Sequence, residues 1–288
     1  MSHPKRISDL PPLPPRPLEG HKGLFGRVLI VGGNDGMIGA PAFAGAAALT
    51  IGAGLVQLAV PRSILSAALS ITPECIGLGL GKAAGRDQLL EAGEKSDAIV
   101  IGPGLGQTPE AMGRLTRLIR LAKPMVVDAD GLNLLAKQKT WPKYFKASGV
   151  LTPHPGEMGR LAKLFGKRDV PDDDAGRIEL AREAAEAFGQ VIVLKGNRTV
   201  VADAARVFVN TTGNSALSKA GTGDVLSGIC GTLLAQKMDR FDAACAAVCL
   251  HGMAGEIAGE RLGLRAVLAR DVIGAIPVAI KRYEERYG

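Results

Sequence analysis

Short apolar runs alternate with longer stretches of small residues along most of the chain. The first run, Arg27-Val-Leu-Ile-Val31, reads as a buried strand. A glycine-rich turn at Gly32-Gly-Asn-Asp-Gly36 follows, then a helix of small residues over 40–51 that ends at Gly52-Ala-Gly54. Residues 55–60 form the next strand, and a strand–helix–strand unit implies a parallel pair with a right-handed crossover. The alternation recurs. Strands are expected at 98–101, 124–128, 149–152 and 191–194, with a hairpin from 199–201 and 206–209. Helices are expected at 109–121, 174–188, 225–236, 243–259 and 271–282, and a short one begins near Asn133. This pattern predicts an α/β fold, a mostly parallel central sheet with helices on both faces. With no linker and no repeat, residues 27–288 read as a single domain behind a proline-rich N-terminal extension, residues 1–26. In that extension Leu10 to Pro17 should run extended over the surface, so regular structure should begin near Arg27.

Composition refines the picture. Hydrophobic residues make up 47% of the 288 positions but aromatics only 4%, and 38 are glycine. Helices of small residues can lie close on a sheet. The net charge of +7 is spread along the chain and not interleaved with aromatics, which argues against dedicated nucleic-acid binding and suits small anionic ligands. Cys75, Cys230, Cys245 and Cys249 lack metal-site spacing and read as reduced core residues, which fits a cytoplasmic protein. The polar N-terminus has no signal-peptide core, and no uninterrupted apolar stretch is expected to span a bilayer.

In each unit the glycine or polar residues fall just after the strand. Ligands of open α/β sheets bind there, so loops 32–36, 102–106, 128–133, 152–157 and 195–199 should share one edge, with 221–224 beside them. Gly221-Thr-Gly-Asp224 precedes the apolar run that starts at Val225. A helix start offers unpaired N–H groups and partial positive charge to a phosphate. Asp224 would then be a carboxylate beside an anion, a place that suits a group handling a proton or a metal. A plain turn with Asp224 as an N-cap is the competing reading.

Other segments say less alone. Gly102-Pro-Gly-Leu-Gly106 and Gly77-Leu-Gly-Leu-Gly-Lys82 have the wrong spacing for dinucleotide or phosphate loops. His154, between Pro153 and Pro155, is held rigidly at a strand end, which favours binding. His251, within a hydrophobic helix, reads as packing or a structural hydrogen bond. Asp128 and Asp130 could be metal ligands, caps or loop residues. Lys195, after a strand, could meet a phosphate or simply be a surface lysine.

Together these segments resemble the NAD(P)H-hydrate dehydratases. The likeness is carried by Val31-Gly-Gly-Asn34, Gly39-Ala40, Ala47 to Val56, Gly102 to Gly106, Asp128-Ala-Asp-Gly-Leu-Asn133, Leu151 to Glu157, Leu194-Lys-Gly196 and Ala220 to Asp224, in the family's order. The resemblance implies the ribokinase-like fold, a three-layer sandwich, with Gly221, Thr222, Gly223 and Asp224 as anion hole and catalytic aspartate. It implies a reaction in which a nucleotide phosphorylates the ring hydroxyl of hydrated (6S) NADH or NADPH and phosphate then leaves. Ala40, Gly106, His154 and Asp224 would contact the hydrated dinucleotide. Lys195, Gly196, Asn197, Arg198, Thr199 and Gly223 would hold the nucleotide. ADP is the expected donor over ATP, with Mg2+ beside it and its ligands left open. A homo-oligomer, with the tetramer as its candidate form, and a separate epimerase as pathway companion are also expected. Asn34 and Thr50 depart from the Ser and Arg common in the family. The competing functions are a ribokinase-like kinase of a vitamin-precursor alcohol and a non-catalytic nucleotide sensor.

Overall fold

A ten-stranded sheet in the order β1-β10-β9-β8-β7-β6-β5-β2-β3-β4 organises the protein. The computed structural model describes residues 4–81, 85–167 and 169–288. The strands are β1 (Lys5–Ile7), β2 (Arg27–Val31), β3 (Leu55–Pro61), β4 (Ile76–Leu80), β5 (Ala98–Ile101), β6 (Pro124–Val127), β7 (Ser148–Leu151), β8 (Val191–Leu194), β9 (Val200–Ala202) and β10 (Arg206–Val209). From β8 to β4 every neighbouring pair is parallel. Only β9 runs against the rest, pairing antiparallel with both β8 and β10.

Alternate strand residues enter two separate cores, as the period of two requires. Val28 and Ile30 pack on one face, Leu29 and Val31 on the other. The first face is covered by α1 (Gly39–Thr50), α2 (Leu65–Ile71), α8 (Thr222–Ala235), α9 (Arg240–Leu262) and α10 (Ala269–Tyr287). The second is covered by α3 (Gly85–Lys95), α4 (Pro109–Leu118), α5 (Asp130–Ala136), α6 (Pro155–Ala162) and α7 (Asp174–Phe188). This is the expected three-layer arrangement. The small residues let α1 and α8 touch backbone to backbone. A Cβ added at Gly228 would stand 2.1 Å from the Ala44 carbonyl oxygen. The four cysteines are free and buried in that layer.

Several boundaries differ from the sequence pattern. Regular structure begins before Arg27, because the polar Lys5–Ile7 adds β1 in parallel to β10. Beyond it Leu10 is buried, Tyr283 donates to the Pro11 carbonyl at 2.8 Å, and Arg16 donates to the Gly52 carbonyl at 2.8 Å. The segment is therefore tied across the fold, although its composition shows no strand signal. Gly77 and Gly79 lie in edge strand β4, and Lys82 lies outside the described residues. By length and composition α9 could cross a bilayer, but most of it is buried as a core helix. The charged Arg240, Asp242 and Glu256 hide that length from a search for uninterrupted apolar runs.

Two crevices open at the carboxyl ends of the strands. One is the topological switch between β2 and β5, where the chain first runs out to β4 and then returns to the other side of β2. The other lies beyond β6, β7 and β8, in front of α8.

Candidate active site

The start of α8 is set by Gly221. Its φ of 90° is costly for residues with a Cβ, and it turns the chain so that the helix begins at Thr222, three residues before the apolar run. Gly223 and Asp224 therefore fall in the first turn, where N–H groups have no intrahelical acceptor. The Thr222 hydroxyl lies 2.7 Å from the Leu217 carbonyl oxygen and 2.9 Å from that of Lys219, so its side chain shapes the preceding loop. Asp224 is partly buried. Burial, then the charge of Asp128, push its carboxyl up to about 7 against the opposing pull of Lys195.

Asp128 is the hub. It directly follows β6 and is 2% exposed. One oxygen lies 2.7 Å from the Lys195 ammonium, and the other accepts from the Ser227 hydroxyl at 2.7 Å. Burial opposes its charge, but Lys195 and these hydrogen bonds hold it below the usual carboxylate range. Ala129 follows with φ 50°, a strained value for alanine. That turn leaves Asp128 inside while Asp130 accepts from the Gly106 amide at 2.9 Å. Of the readings open for the two aspartates, Asp128 is the buried partner of a lysine and Asp130 the anchor of the Gly106 loop.

The Lys195 ammonium faces the helix start, 3.7 Å from where a Gly223 Cβ would stand. Burial disfavours its charge, but Asp128 and Glu157 hold its pKa up. The rest of that loop is held from α7. Arg177 donates to the carbonyls of Leu194 and Lys195 at 3.2 Å and of Asn197 at 3.3 Å. Arg198 meets Asp174 at 2.7 Å, and Thr199 donates to the Gly196 carbonyl at 3.0 Å. Residues Lys195 to Thr199 thus form one wall of a cavity of about 510 Å³, with Thr222 and Gly223 on its boundary and Leu217, Leu226 and His251 among the other lining residues.

His154 is the N-cap of α6. Its Nδ1 accepts from the Gly156 amide at 3.0 Å, while Glu157 reaches back to the His154 amide at 2.8 Å. The imidazole is half exposed, and burial, Lys195 and Arg160 lower its pKa. Glu157 is buried and pushed up to about 7, mainly by burial. Its carboxylate is 3.9 Å from Lys195, which links the His154 loop to the Asp128 hub. Ala40 lies in the first turn of α1 over the switch crevice, its Cβ 3.2 Å from where a Gly104 Cβ would stand. Asn34 spans the crevice by donating to the Gly104 carbonyl at 2.8 Å.

The predicted nucleotide residues and the α8 start therefore border one cavity. Ala40, in the first turn of α1, Gly106, in the loop after β5, and His154, at the N-cap of α6, lie along the same edge of the sheet. The pattern along the chain did not disclose the roles of Asp128, Glu157 and Ser227. The only signal was the position of Asp128 directly after a strand.

A family model for NAD(P)H-hydrate dehydratase matches residues 28–278. The chain belongs to this family. Among its relatives, a bifunctional NAD(P)H-hydrate repair enzyme Nnr of Moorella thermoacetica is 40% identical over 282 residues, covering 95% of this chain and 52% of that protein. The chain thus spans about half the length of such relatives. An ADP-dependent (S)-NAD(P)H-hydrate dehydratase of Neisseria meningitidis is 37% identical over 256 residues, covering 87% of this chain and 83% of that one. The crystal structure of the ADP/ATP-dependent NAD(P)H-hydrate dehydratase of Bacillus subtilis, co-crystallized with ATP/Mg2+, superposes with TM-score 0.81 at 34% identity, over 95% of each chain. A ribokinase-like superfamily protein of Enterococcus faecalis superposes with TM-score 0.79 at 28% identity, over 94% of this chain and 92% of that one. The chain has the ribokinase-like fold.

Proposed function

We propose that this chain restores NADH or NADPH from its hydrated form, using the terminal phosphoryl group of a nucleotide to make the ring hydroxyl a leaving group. The observation that carries the mechanism is Asp224. A carboxyl with its pKa raised to about 7 stands in the first turn of a helix, beside a lysine-lined cavity. That is the proton affinity a general base needs near neutral pH.

In the first step the substrate hydroxyl oxygen attacks the terminal phosphorus and Asp224 takes its proton. The bond from phosphorus to the nucleotide's bridging oxygen breaks, and the nucleotide leaves one phosphate shorter. The N–H groups of Gly223 and Asp224 and the Lys195 ammonium stabilise charge on the phosphoryl oxygens in flight. In the second step the carbon–oxygen bond to phosphate breaks as the ring nitrogen supplies electron density, and loss of a ring proton restores the double bond. Asp128 keeps Lys195 aimed at the helix start.

Residues Lys195 to Thr199 and Gly223 hold the nucleotide, which we take to be ADP. Ala40, Gly106 and His154 hold the hydrated dinucleotide. Among the described residues no three His, Cys, Asp or Glu side chains gather as a metal cage, and both Asp128 oxygens are engaged. Mg2+ would therefore arrive on the nucleotide phosphates as part of the substrate and keep most of its waters. The companion activity is an epimerase, a pairing supported by relatives that are called bifunctional and are matched over about half their length.

The test is to mix the protein with hydrated NADH and ADP or ATP and follow the return of normal NADH absorbance. Conversion to a stable phosphorylated product without NADH would mean a kinase, and binding without turnover would mean a sensor.

A further inference from the structure

The mechanism brings the nucleotide to loop 195–199, but a second segment lines the same cavity. Thr212, Gly213, Asn214 and Ser215, which follow β10, border it as well. Such a run of small polar residues carries no apolar side chain to anchor it in the core, so its position needs another cause. Four contacts supply it. The Asn210 amide donates to the Thr199 carbonyl at 2.9 Å, which joins this segment to loop 195–199. The Asn210 side chain is buried and donates to the Val248 carbonyl of α9 at 3.1 Å. The Thr212 hydroxyl lies 2.9 Å from the Cys249 carbonyl oxygen. Gly252 permits that close approach, since a Cβ there would stand 2.1 Å from the hydroxyl. The Gly213 amide donates to the Glu256 carboxylate, also on α9, at 2.8 Å.

Glu256 is the contact that stability alone explains least. The cavity offers a lysine and a helix start to a phosphate, and an acidic side chain next to it works against an anionic ligand. Its oxygen instead meets a backbone N–H that lies outside any helix or strand, and it holds that N–H in one place. A wall fixed before the ligand arrives spares the cost of ordering it on binding. We propose that residues 210–215 form a second wall of the nucleotide site and that Glu256 is its positioning residue, fixing the wall against α9. This rests on the cavity holding the donor nucleotide, and it extends that site beyond residues 195–199 and 223.

The test is calorimetric titration of ADP into the wild-type protein, Glu256→Gln and Glu256→Met, with thermal melts as a check on folding and steady-state kinetics beside it. Glutamine keeps an acceptor oxygen and removes the acid, whereas methionine keeps the length and removes both. Loss of one hydrogen bond to a carboxylate corresponds to about 10-fold in affinity. Glu256→Met should bind ADP more weakly by about that factor, and its KM for ADP should rise by more than its kcat falls. Glu256→Gln should stay closer to wild type than methionine does. A purely electrostatic role has the opposite sign, since both variants would then bind ADP more tightly. In the wild type, ADP should slow amide hydrogen exchange over 210–215 together with 195–199. A folded methionine variant with wild-type ADP affinity overturns the proposal, as do two variants that shift affinity alike. Exchange slowed at 195–199 alone overturns it even if the methionine variant does not fold. Failure of the wild type to bind ADP at all would instead remove the nucleotide from the cavity, and the proposal with it.

Discussion

At Asp224 two influences oppose each other. The first turn of a helix favours a negative charge, while burial and the nearby Asp128 carboxylate disfavour it and bring the pKa to about 7. Two consequences follow with definite sign. Catalysis needs the ionised form, so kcat/KM should rise as pH increases through about 7, and Asp224→Asn should lower turnover by about 100- to 10,000-fold with nucleotide affinity largely kept. Stability runs the other way. The folded protein holds a proton on Asp224 between the ordinary pKa of 3.8 and about 7 that the unfolded chain has released, so this contribution is lost as pH rises through that window. Asp224→Asn should therefore melt higher than wild type at pH 8, with the gap closing towards pH 4. Equal melting temperatures at both pH values would show that Asp224 is not held protonated. His154 needs a different substitution, because it caps α6 as well as facing the site. Alanine would remove the cap at a cost of about 1 kcal/mol, whereas asparagine keeps a capping side chain. His154→Asn should raise KM for the hydrated dinucleotide and leave ADP affinity nearly unchanged, and a selective loss of ADP binding would reassign it. Residues such as Asp224 and His154 were legible because their neighbours in the chain frame them. Asp128 was not, since its partners Lys195 and Ser227 are 67 and 99 positions away. His251 is buried within α9, in keeping with the packing role read for it from the hydrophobic helix around it.

Among the elements, α8 shows where periodicity stops informing. The apolar period begins at Val225, but the helix begins at Thr222, because the bend comes from backbone at Gly221 and not from a hydrophobic side chain. Residues 222–224 thereby become a first turn that offers N–H groups. Gly223 itself is helical, without a positive φ, so its lack of a Cβ leaves space and not a special backbone. A Cβ there would stand 3.7 Å from the Lys195 ammonium and 4.0 Å from Asp128, ordinary contacts for the folded protein. Gly223→Val should therefore fold, yet lower both ADP affinity and rate by filling the space in front of the helix start. A folded variant with unaltered ADP titrations and kinetics would place the phosphates elsewhere. α6 was more legible than it was read. Pro155 at the first position and Glu157 at the third are start signals, whereas the two prolines alone point only to a His154 held rigidly at a strand end. β1 and β4 gave no such signal, being short edge strands with polar or glycine residues where core strands carry valine and isoleucine.

For the whole molecule, the alternation of strands and helices was enough to predict a parallel sheet with the ligand loops on one edge. Strand order was not legible, because several orders satisfy the same pattern. The observed order matters, since β6, β7 and β8 lie side by side and bring Asp128, the His154 loop and Lys195 in front of α8. That frame also sets the length of donor the site accepts. The outer wall is fixed, with loop 195–199 pinned through its carbonyls by Arg177 and by the Arg198–Asp174 pair. The inner end is fixed as well, since Gly228 seats α8 directly on the backbone of α1 and leaves it little room to slide. If loop 195–199 holds the nucleoside, the distance to the first turn of α8 is constant, and only one phosphate of the chain can stand in line with the substrate hydroxyl. We expect that phosphate to be the second. A third would occupy the anion hole itself or displace the reacting phosphorus, and small displacements are costly in rate. With ADP removed enzymatically from ATP stocks, kcat/KM for ADP should exceed that for ATP. A preference for ATP under those conditions would mean that the nucleoside sits further from α8 than loop 195–199 allows, and it would move the donor while leaving Asp224 as the base.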